Sequence, residues 1–299
     1  MERSEIRHIP VLLKEVMAYL NVRPGQTVVD GTLGFGGHAK EILKALGQHG
    51  RLIGIDQDEE ALGYAKENLK EFAAQCIFVR ENFASLTKVL KKHGIDNVDG
   101  ILLDIGISSL HIDKAERGFS FRSDAPLDMR MNKEADVSAY DVVNTYSEEK
   151  LADLLRNFGE ERHARKIAQR IVQERRKQTI ETTRQLSEIV LKAAGQQGRL
   201  QSLHPATRTF QAIRIAVNDE LGVLQQVLEQ SLEVLNSKGR MIVVCFHSLE
   251  DRIVKTFFQD CQKRRSVNIL TKKPISPTED EVKLNPRSRS ARLRAVERI

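Results

Sequence analysis

The chain reads as an α/β fold, an open and mainly parallel sheet interrupted by an inserted all-helical domain, and three observations carry that reading. From Gln26 to Gly106, apolar runs of strand length alternate with helical patterns. Three of those runs end in a carboxylate, Asp30, Asp56 and Asp104, which puts three acids on one rim of the sheet. The alternation then stops near His111, and sheet signals resume only at Arg240. The domains expected are residues 1–110 with 217–299 for the sheet, and 111–216 for the insertion.

Pro10 to Leu20 repeats apolar side chains at helical spacing, with proline tolerated at the helix start. Arg23-Pro24-Gly25 then turns the chain into a first strand, Gln26 to Asp30. A glycine-rich turn, Gly31-Thr-Leu-Gly-Phe-Gly-Gly37, leads onto a helix carrying Ile42, Leu43 and Leu46. The first N–H groups of that helix face back toward the turn and make an anion site. Gly34, Gly36 and Ala39 also satisfy the loose dinucleotide pattern, so a nicotinamide-type cofactor competes for the loop. Asp30 decides between them, because a carboxylate at the strand end repels a pyrophosphate and attracts an ammonium. S-adenosylmethionine (SAM) brings an ammonium and a carboxylate but no phosphate, so the turn is read as a SAM loop.

Arg51 to Asp56 is a second buried strand, and Asp56 stands twenty residues beyond Gly36. That separation leaves room for one helix and one return strand, and it brings an acid to the ribose hydroxyls of a bound nucleoside. A helix from Asp58 to near Phe72 and a strand Cys76 to Arg80 follow. Phe83, just after that strand, is placed either to offer an apolar face to the adenine or to join the core. A short helix to His93 leads into the apolar run Val98 to Gly106, which contains Asp104.

The insertion opens with a polar loop, Asp113 to Lys133, in which Phe119 and Phe121 are interleaved with Arg117, Arg122 and Arg130. Such interleaving suits a single-stranded nucleic acid, and it equally suits a connection tucked against the sheet. Helical patterns follow at Glu148 to Phe158, Arg162 to Lys177 and Thr183 to Ala194. Beyond a helix Glu220 to Leu235 and a strand Arg240 to His247, Ser248 is placed as the N-cap of another helix, with Asp251 as its partner. Ser266 to Thr271 and Ala291 to Ile299 read as antiparallel edge strands, joined by a polar linker.

Composition narrows the function. Lys and Arg number 47 against 41 for Asp and Glu, a net charge of +6, and the tail from Lys283 to Arg298 holds six basic side chains and one acid. An anionic partner is implied. The three cysteines form no C-x-x-C pair, so neither a disulfide framework nor a zinc site is expected, and a reducing cytoplasm fits. The scattered histidines lack metal-ligand spacing. No apolar run is long enough to span a bilayer, and Met1 to His8 is not followed by a signal-peptide core. His247, Ser248, Glu250 and Asp251 lack a nucleophile elbow and are explained by capping. Neither Cys245 nor Cys76 stands in the exposed context of a nucleophile. Direct methyl transfer to nitrogen or oxygen remains, with Asp104 as a candidate acceptor for N–H groups. A non-catalytic RNA-binding or assembly factor that kept the fold is the alternative.

Several blocks then resemble one family. They are His8-Ile-Pro-Val-Leu-Leu-Lys-Glu15, Asp30-Gly-Thr-Leu-Gly-Phe-Gly-Gly-His38, Leu102-Leu-Asp-Ile-Gly-Ile-Ser-Ser109, Pro126-Leu-Asp-Met-Arg-Met131, Thr207-Arg-Thr-Phe-Gln-Ala-Ile-Arg-Ile215, Phe246-His-Ser-Leu-Glu-Asp-Arg252 and Asn285-Pro-Arg-Ser-Arg-Ser290. In this order they resemble the bacterial 16S rRNA (cytosine-N4)-methyltransferases from His8 to the C-terminus. The resemblance implies a Rossmann-like, class I SAM-dependent methyltransferase domain with a helical substrate-recognition insertion. It implies methylation of a cytidine in the decoding centre of the small ribosomal subunit. Cofactor contacts carried over by the resemblance fall on Gly36, Gly37, His38, Asp56, Phe83, Asp104 and His111, with Asp30 a weaker candidate. Arg117, Arg122, Arg130, Arg208, Arg287 and Arg289 are the candidates for RNA contact, each with an intramolecular salt bridge as the alternative. The partner expected is 16S rRNA within the small subunit, in the cytoplasm, with no membrane and no metal, and with a homodimer left open.

Overall fold

The computed structural model describes residues 9–199 and 204–299. The N-terminal stretch, including His8 at the head of the first family block, lies outside the described residues. The chain divides into two compact units, one running to Gly106 and resuming at Leu221, the other formed by Ile107–Glu220.

The first unit begins with α1 (Leu13–Leu20), β1 (Thr27–Asp30), α2 (Gly37–Leu46), β2 (Arg51–Asp56), α3 (Glu59–Asn68), β3 (Cys76–Arg80), α4 (Leu86–Lys92) and β4 (Val98–Asp104). The second unit contains α5 (Ser109–Asp113), α6 (Ala139–Thr145), α7 (Glu148–Gly159), α8 (Ala164–Arg175), α9 (Thr183–Arg199) and α10 (Ala206–Asn218). The first unit then resumes with α11 (Glu220–Val234), β5 (Leu235–Cys245), α12 (Ser248–Lys263), β6 (Val267–Ile269), α13 (Glu279–Leu284) and β7 (Arg292–Arg298).

The sheet has the order β3-β2-β1-β4-β5-β7-β6, parallel from β3 through β5 and antiparallel at β5–β7 and β7–β6. Its central strands are continuous apolar runs because both faces are covered. Alternation sends Val29, Ile53, Ile101, Leu103 and Val243 into one core with residues of α4, α11 and α12. Val28, Leu52, Leu102, Ile242 and Val244 enter the other, with residues of α1, α2 and α3. The strand order reverses between β1 and β4, and at such a switch point the crevice beyond the carboxyl ends of the strands takes the ligand in open α/β sheets.

Several expectations are corrected. β7 is not an edge strand: it lies between β5 and β6, with Leu293, Ala295 and Val296 buried, so only β6 borders the sheet on that side. β5 starts at Leu235, and Val98 pairs with Leu235 before the register shifts. The short helices α6 and α13, and the long α10, are additional to the helices that the sequence predicts. For α6 a capping box was available, Ser138 with Asp141. The N-cap of α12 is His247, not Ser248, and its capping-box partner is Glu250, not Asp251.

The helical unit closes around Leu151, Leu155, Ile167, Ile171, Leu186, Val190, Phe210 and Ile213, all fully or nearly buried. The loop before α6 joins this core through Phe119, Leu127 and Met129. The apolar residues of that loop are thus packed on helices rather than on the sheet.

Candidate functional site

The glycine turn between β1 and α2 is stitched to both neighbouring strands. Gly31 N–H donates to Leu102 O at 2.9 Å, Leu33 N–H to Ile55 O at 2.9 Å and Gly34 N–H to an Asp56 carboxylate oxygen at 2.8 Å. Gly36 caps α2 with φ 78°, and a Cβ there would stand 2.9 Å from Leu69 Cδ1, so glycine is required twice over. No side chain caps this helix, and its N-terminal dipole is left for an anion.

The carboxylates gather as the strand ends predict. Asp30 is 2% exposed and accepts from Thr32 N–H at 3.2 Å. Burial pushes its carboxyl up to about 7, opposed by the Thr32 hydrogen bond and assisted by the charge of Asp56. Asp56 receives Gly34 N–H on one oxygen and Asp58 N–H, at 2.9 Å, on the other. Asp104 stands at the end of β4, its backbone N–H held by Thr32 Oγ1 at 2.6 Å. Its side chain is 18% exposed, yet Oδ1 is buried with no hydrogen-bond partner among the described residues. Burial, then the charges of Asp30 and Glu250, push this carboxyl up to about 8. His38 Nδ1 approaches Oδ2 at 3.7 Å, while His38 Nε2 lies 2.9 Å from Val11 O.

An orphaned, acidic oxygen beside a glycine turn and an uncapped helix fits the zwitterionic amino-acid end of SAM. The carboxylates suit the ammonium and the helix start suits the carboxylate. Phe83 opens the turn after β3 and packs partly buried against the sheet core, with Asn82 capping that turn. Thr32 was not singled out from the sequence, although it links Asp30 and Asp104. Its signal was its place inside Asp30-Gly-Thr32.

His111 lies in the second unit, where its ring stacks on Phe119 with centroids 4.7 Å apart. The arginines of this unit separate into two groups. Arg117 is 2% exposed, and its guanidinium donates to the carbonyls of Arg130 and Met131, at 3.0 Å each. In this conformation it braces the loop, the intramolecular role that was the alternative to RNA contact. Arg130 pairs with Asp128 at 2.7 Å and donates to Ala135 O at 2.8 Å. Burial alone would raise the Asp128 carboxyl, but the hydrogen bonds and charge of Arg130 outweigh it and hold it below the usual range. Arg208 is half-buried with a long contact of 3.4 Å to Glu160 O. Arg122 is exposed, as are Arg287 and Arg289 in the first unit.

Asn218 also escaped the sequence reading. Its amide accepts from Met131 N–H and donates to Met129 O, both at 2.8 Å, and so grips Met129, which is held at φ 59°. Gly118 completes this brace at φ 71°, since a Cβ there would meet Pro126 O at 2.3 Å. Phe121 stacks on His204 at 4.6 Å and meets Phe210 edge-on at 5.1 Å, so both loop phenylalanines serve the core.

The hydrolase-like cluster is structural. Both backbone N–H groups of Phe246 and His247 donate to Glu250 Oε2, at 2.7 and 3.1 Å. Asp251 pairs with Arg294 at 2.6 Å and with Arg292 at 3.2 Å. Burial raises all three thiols, Cys76 to about 11 and Cys245 well up, so neither supplies a thiolate nucleophile near neutral pH.

The profile of the MraW methylase family matches residues 5–299. A ribosomal RNA small subunit methyltransferase H from Clostridium botulinum (strain Kyoto / Type A2) is 49% identical over 99% of this chain and all of that protein. The same-named proteins from Clostridioides difficile (strain 630) and Brevibacillus brevis are 46% and 44% identical, over 99% and 100% of this chain and all of each relative.

Proposed function

The chain belongs to the MraW methylase family, and from that premise we propose that it methylates the exocyclic N4 amine of a cytidine in the decoding centre of 16S rRNA. It is a SAM-dependent methyltransferase; the RNA target and the residue roles are the proposal. The observation that carries it is Asp104 Oδ1, a buried acceptor with no hydrogen-bond partner among the described residues, at the end of the central strand β4. An amine conjugated to a pyrimidine ring is a weak nucleophile, and an acceptor for its N–H groups restores electron density to nitrogen as the bond to carbon forms.

The residues proposed to hold the cofactor are Gly36, Gly37 and His38 at the helix start, Asp30 and Asp104 for its ammonium, and Asp56 for its ribose. Phe83 is proposed beside the adenine. His111 is proposed on the family resemblance. When bound, SAM supplies a methyl carbon made electrophilic by the attached sulfonium. The chain's own contribution is to align the donor and acceptor, exclude water and accept N–H bonds, with no covalent enzyme intermediate. Raised thiol pKa values support that choice.

The helical unit is proposed to recognise the substrate. For RNA contact the candidates are now the exposed Arg122, Arg287 and Arg289, with Arg208 beside them, while Arg117 and Arg130 act within the loop. Among the described residues no helix is long and apolar enough to cross a membrane. A cytoplasmic location belongs to the same proposal.

Incubation with methyl-labelled SAM and small subunits lacking the modification, followed by RNA digestion, tests this reading. Labelled N4-methylcytidine is the expected product. Label on another nucleoside would overturn the target. Cofactor binding without label on any assembly intermediate would favour the non-catalytic role.

A further inference from the structure

Arg162 to Lys177, which is α8 with its flanks, sorts its charges by helical angle. Ala164, Ile167, Ala168, Ile171 and Val172 are buried in the core of the helical unit. At 3.6 residues per turn the opposite side collects Arg162, Arg165, Lys166, Gln169, Gln173 and Arg176, and all six are exposed. The other cations of the run are engaged elsewhere. Arg170 and Lys177 pair with Glu174 on the flank of the helix, at 2.9 and 3.2 Å, and Arg175 donates to Val143 O and Tyr146 O, at 2.7 Å each. Glu161 turns its carboxylate to His163 N–H at 2.8 Å. Among the described residues, Arg162, Arg165, Lys166 and Arg176 therefore make no ion pair and no side-chain hydrogen bond, and no acid of α8 shares their face.

Helix stability does not account for this face. Arg165 and Lys166 stand in the first turn, where the helix dipole disfavours cations, and no acid accompanies them there. Arg162 adds repulsion to both, at spacings of three and four residues. A polyanion laid on the face relieves both strains. The order of side chains along the face selects which polyanion. Arg162, Arg165 and Lys166 form one basic end and Arg176 the other, and the neutral amides Gln169 and Gln173 lie between them. With a rise of 1.5 Å per residue, the two ends stand about 15 Å apart. The run carries no Phe, Tyr or Trp to stack on an unpaired base, so a single strand gains little here beyond charge. A double-helical RNA offers two rows of phosphates bordering a wide, shallow groove lined with 2′-hydroxyls, which donate and accept as a glutamine amide does.

We propose that the outer face of α8 docks across the shallow groove of a double-helical RNA segment, its basic ends on phosphates of opposite strands and Gln169 and Gln173 on the 2′-hydroxyls between them. The inference rests on the reading of the substrate as RNA, and it goes further by naming the form of RNA and the face that takes it.

Binding of the full chain to a blunt RNA duplex, to a DNA duplex of the same sequence and to one RNA strand alone, each read by fluorescence anisotropy over a salt series, tests this. Arg165→Gln/Lys166→Gln/Arg176→Gln should lower affinity for the RNA duplex at least about tenfold and reduce the salt slope by about three. The loss on the single strand should be smaller. A charge-matched variant on α4, Lys88→Gln/Lys91→Gln/Lys92→Gln, all exposed in wild type, should bind as wild type does. Gln169→Ala/Gln173→Ala should erase most of the preference for RNA over DNA duplex and leave the salt slope unchanged. Wild-type affinity in the α8 charge variant, or an equal loss in the α4 variant, overturns the interface. Equal loss on single strand and duplex overturns the duplex as its occupant, and a full RNA preference in the glutamine variant overturns the groove contact. In each of these outcomes wild type still binds RNA, so the reading of an RNA substrate stands. Wild type that binds neither RNA would overturn that reading and this inference together.

Discussion

The rim of the sheet and the loop of the helical unit treat buried charge in opposite ways. In the loop, Arg117 satisfies two carbonyls, Arg130 pairs with Asp128, and Asn218 holds the backbone on both sides of Arg130. At the rim, Asp30 is withdrawn from water and one oxygen of Asp104 is buried, and among the described residues neither has a basic ion-pair partner apart from the loose approach of His38. A satisfied polar network fixes a conformation, whereas an unsatisfied buried carboxylate costs stability until something cationic or protic arrives. The loop residues therefore hold a shape, and the rim residues suit the cationic ligand proposed for them.

Substitution of Asp104 is the sharpest way to break that contrast. Asp104→Asn is expected to lower methyl transfer by about a thousand-fold while leaving the cofactor-free chain at least as stable above the raised pKa. A variant that binds SAM normally and turns over at the wild-type rate would remove Asp104 as the N–H acceptor. In the loop the effects should fall on stability. Arg117→Ala leaves two carbonyls without their donor and should cost about 3 kcal/mol in urea unfolding, with little change in cofactor affinity for the protein that remains folded.

A pH series separates the regions further. The carboxyls of Asp30 and Asp104 are raised in the folded chain, to about 7 and about 8. The native state therefore binds more protons than the unfolded state between the ordinary carboxylate range and those values. Their stabilising contribution is complete below that range and is lost as pH rises through about 7 and about 8. Without cofactor, the melting temperature of Asp30→Asn should gain on wild type as pH rises across this window, and a constant difference would contradict it. The smallest effect is expected at the exposed tail. Arg289→Ala should change stability by less than about 0.5 kcal/mol and reduce the salt slope of RNA binding by about one, read from affinities at several salt concentrations.

Much of the rim was legible because each signal is local. Asp30 and Asp56 end apolar runs, Gly36 opens a helix, and the distance from Gly36 to Asp56 spans one helix and one strand. The arginines were not separable in this way. Arg117 and Arg122 occupy the same loop and share a charge, but only Arg117 reaches the carbonyls of Arg130 and Met131, thirteen and fourteen residues away. The α12 cap shifted by one residue because His247, unlike Ser248, has the extended backbone that an N-cap takes, and Glu250 completes its box. β7 was expected at an edge, and pairing with β5 on one side and β6 on the other set it inside the sheet.

Periodicity, turn chemistry and spacing thus determined an α/β chain with carboxylate-tipped strands, a glycine turn and a helical interruption, because all of these arise from neighbours along the backbone. Only the tertiary structure decided which charges are paired and which are left waiting. Desolvation depends on atoms that sequence distance does not reveal, and it is the lack of a partner for Oδ1 among the described residues that sets Asp104 apart from the paired carboxylates Asp128 and Asp251.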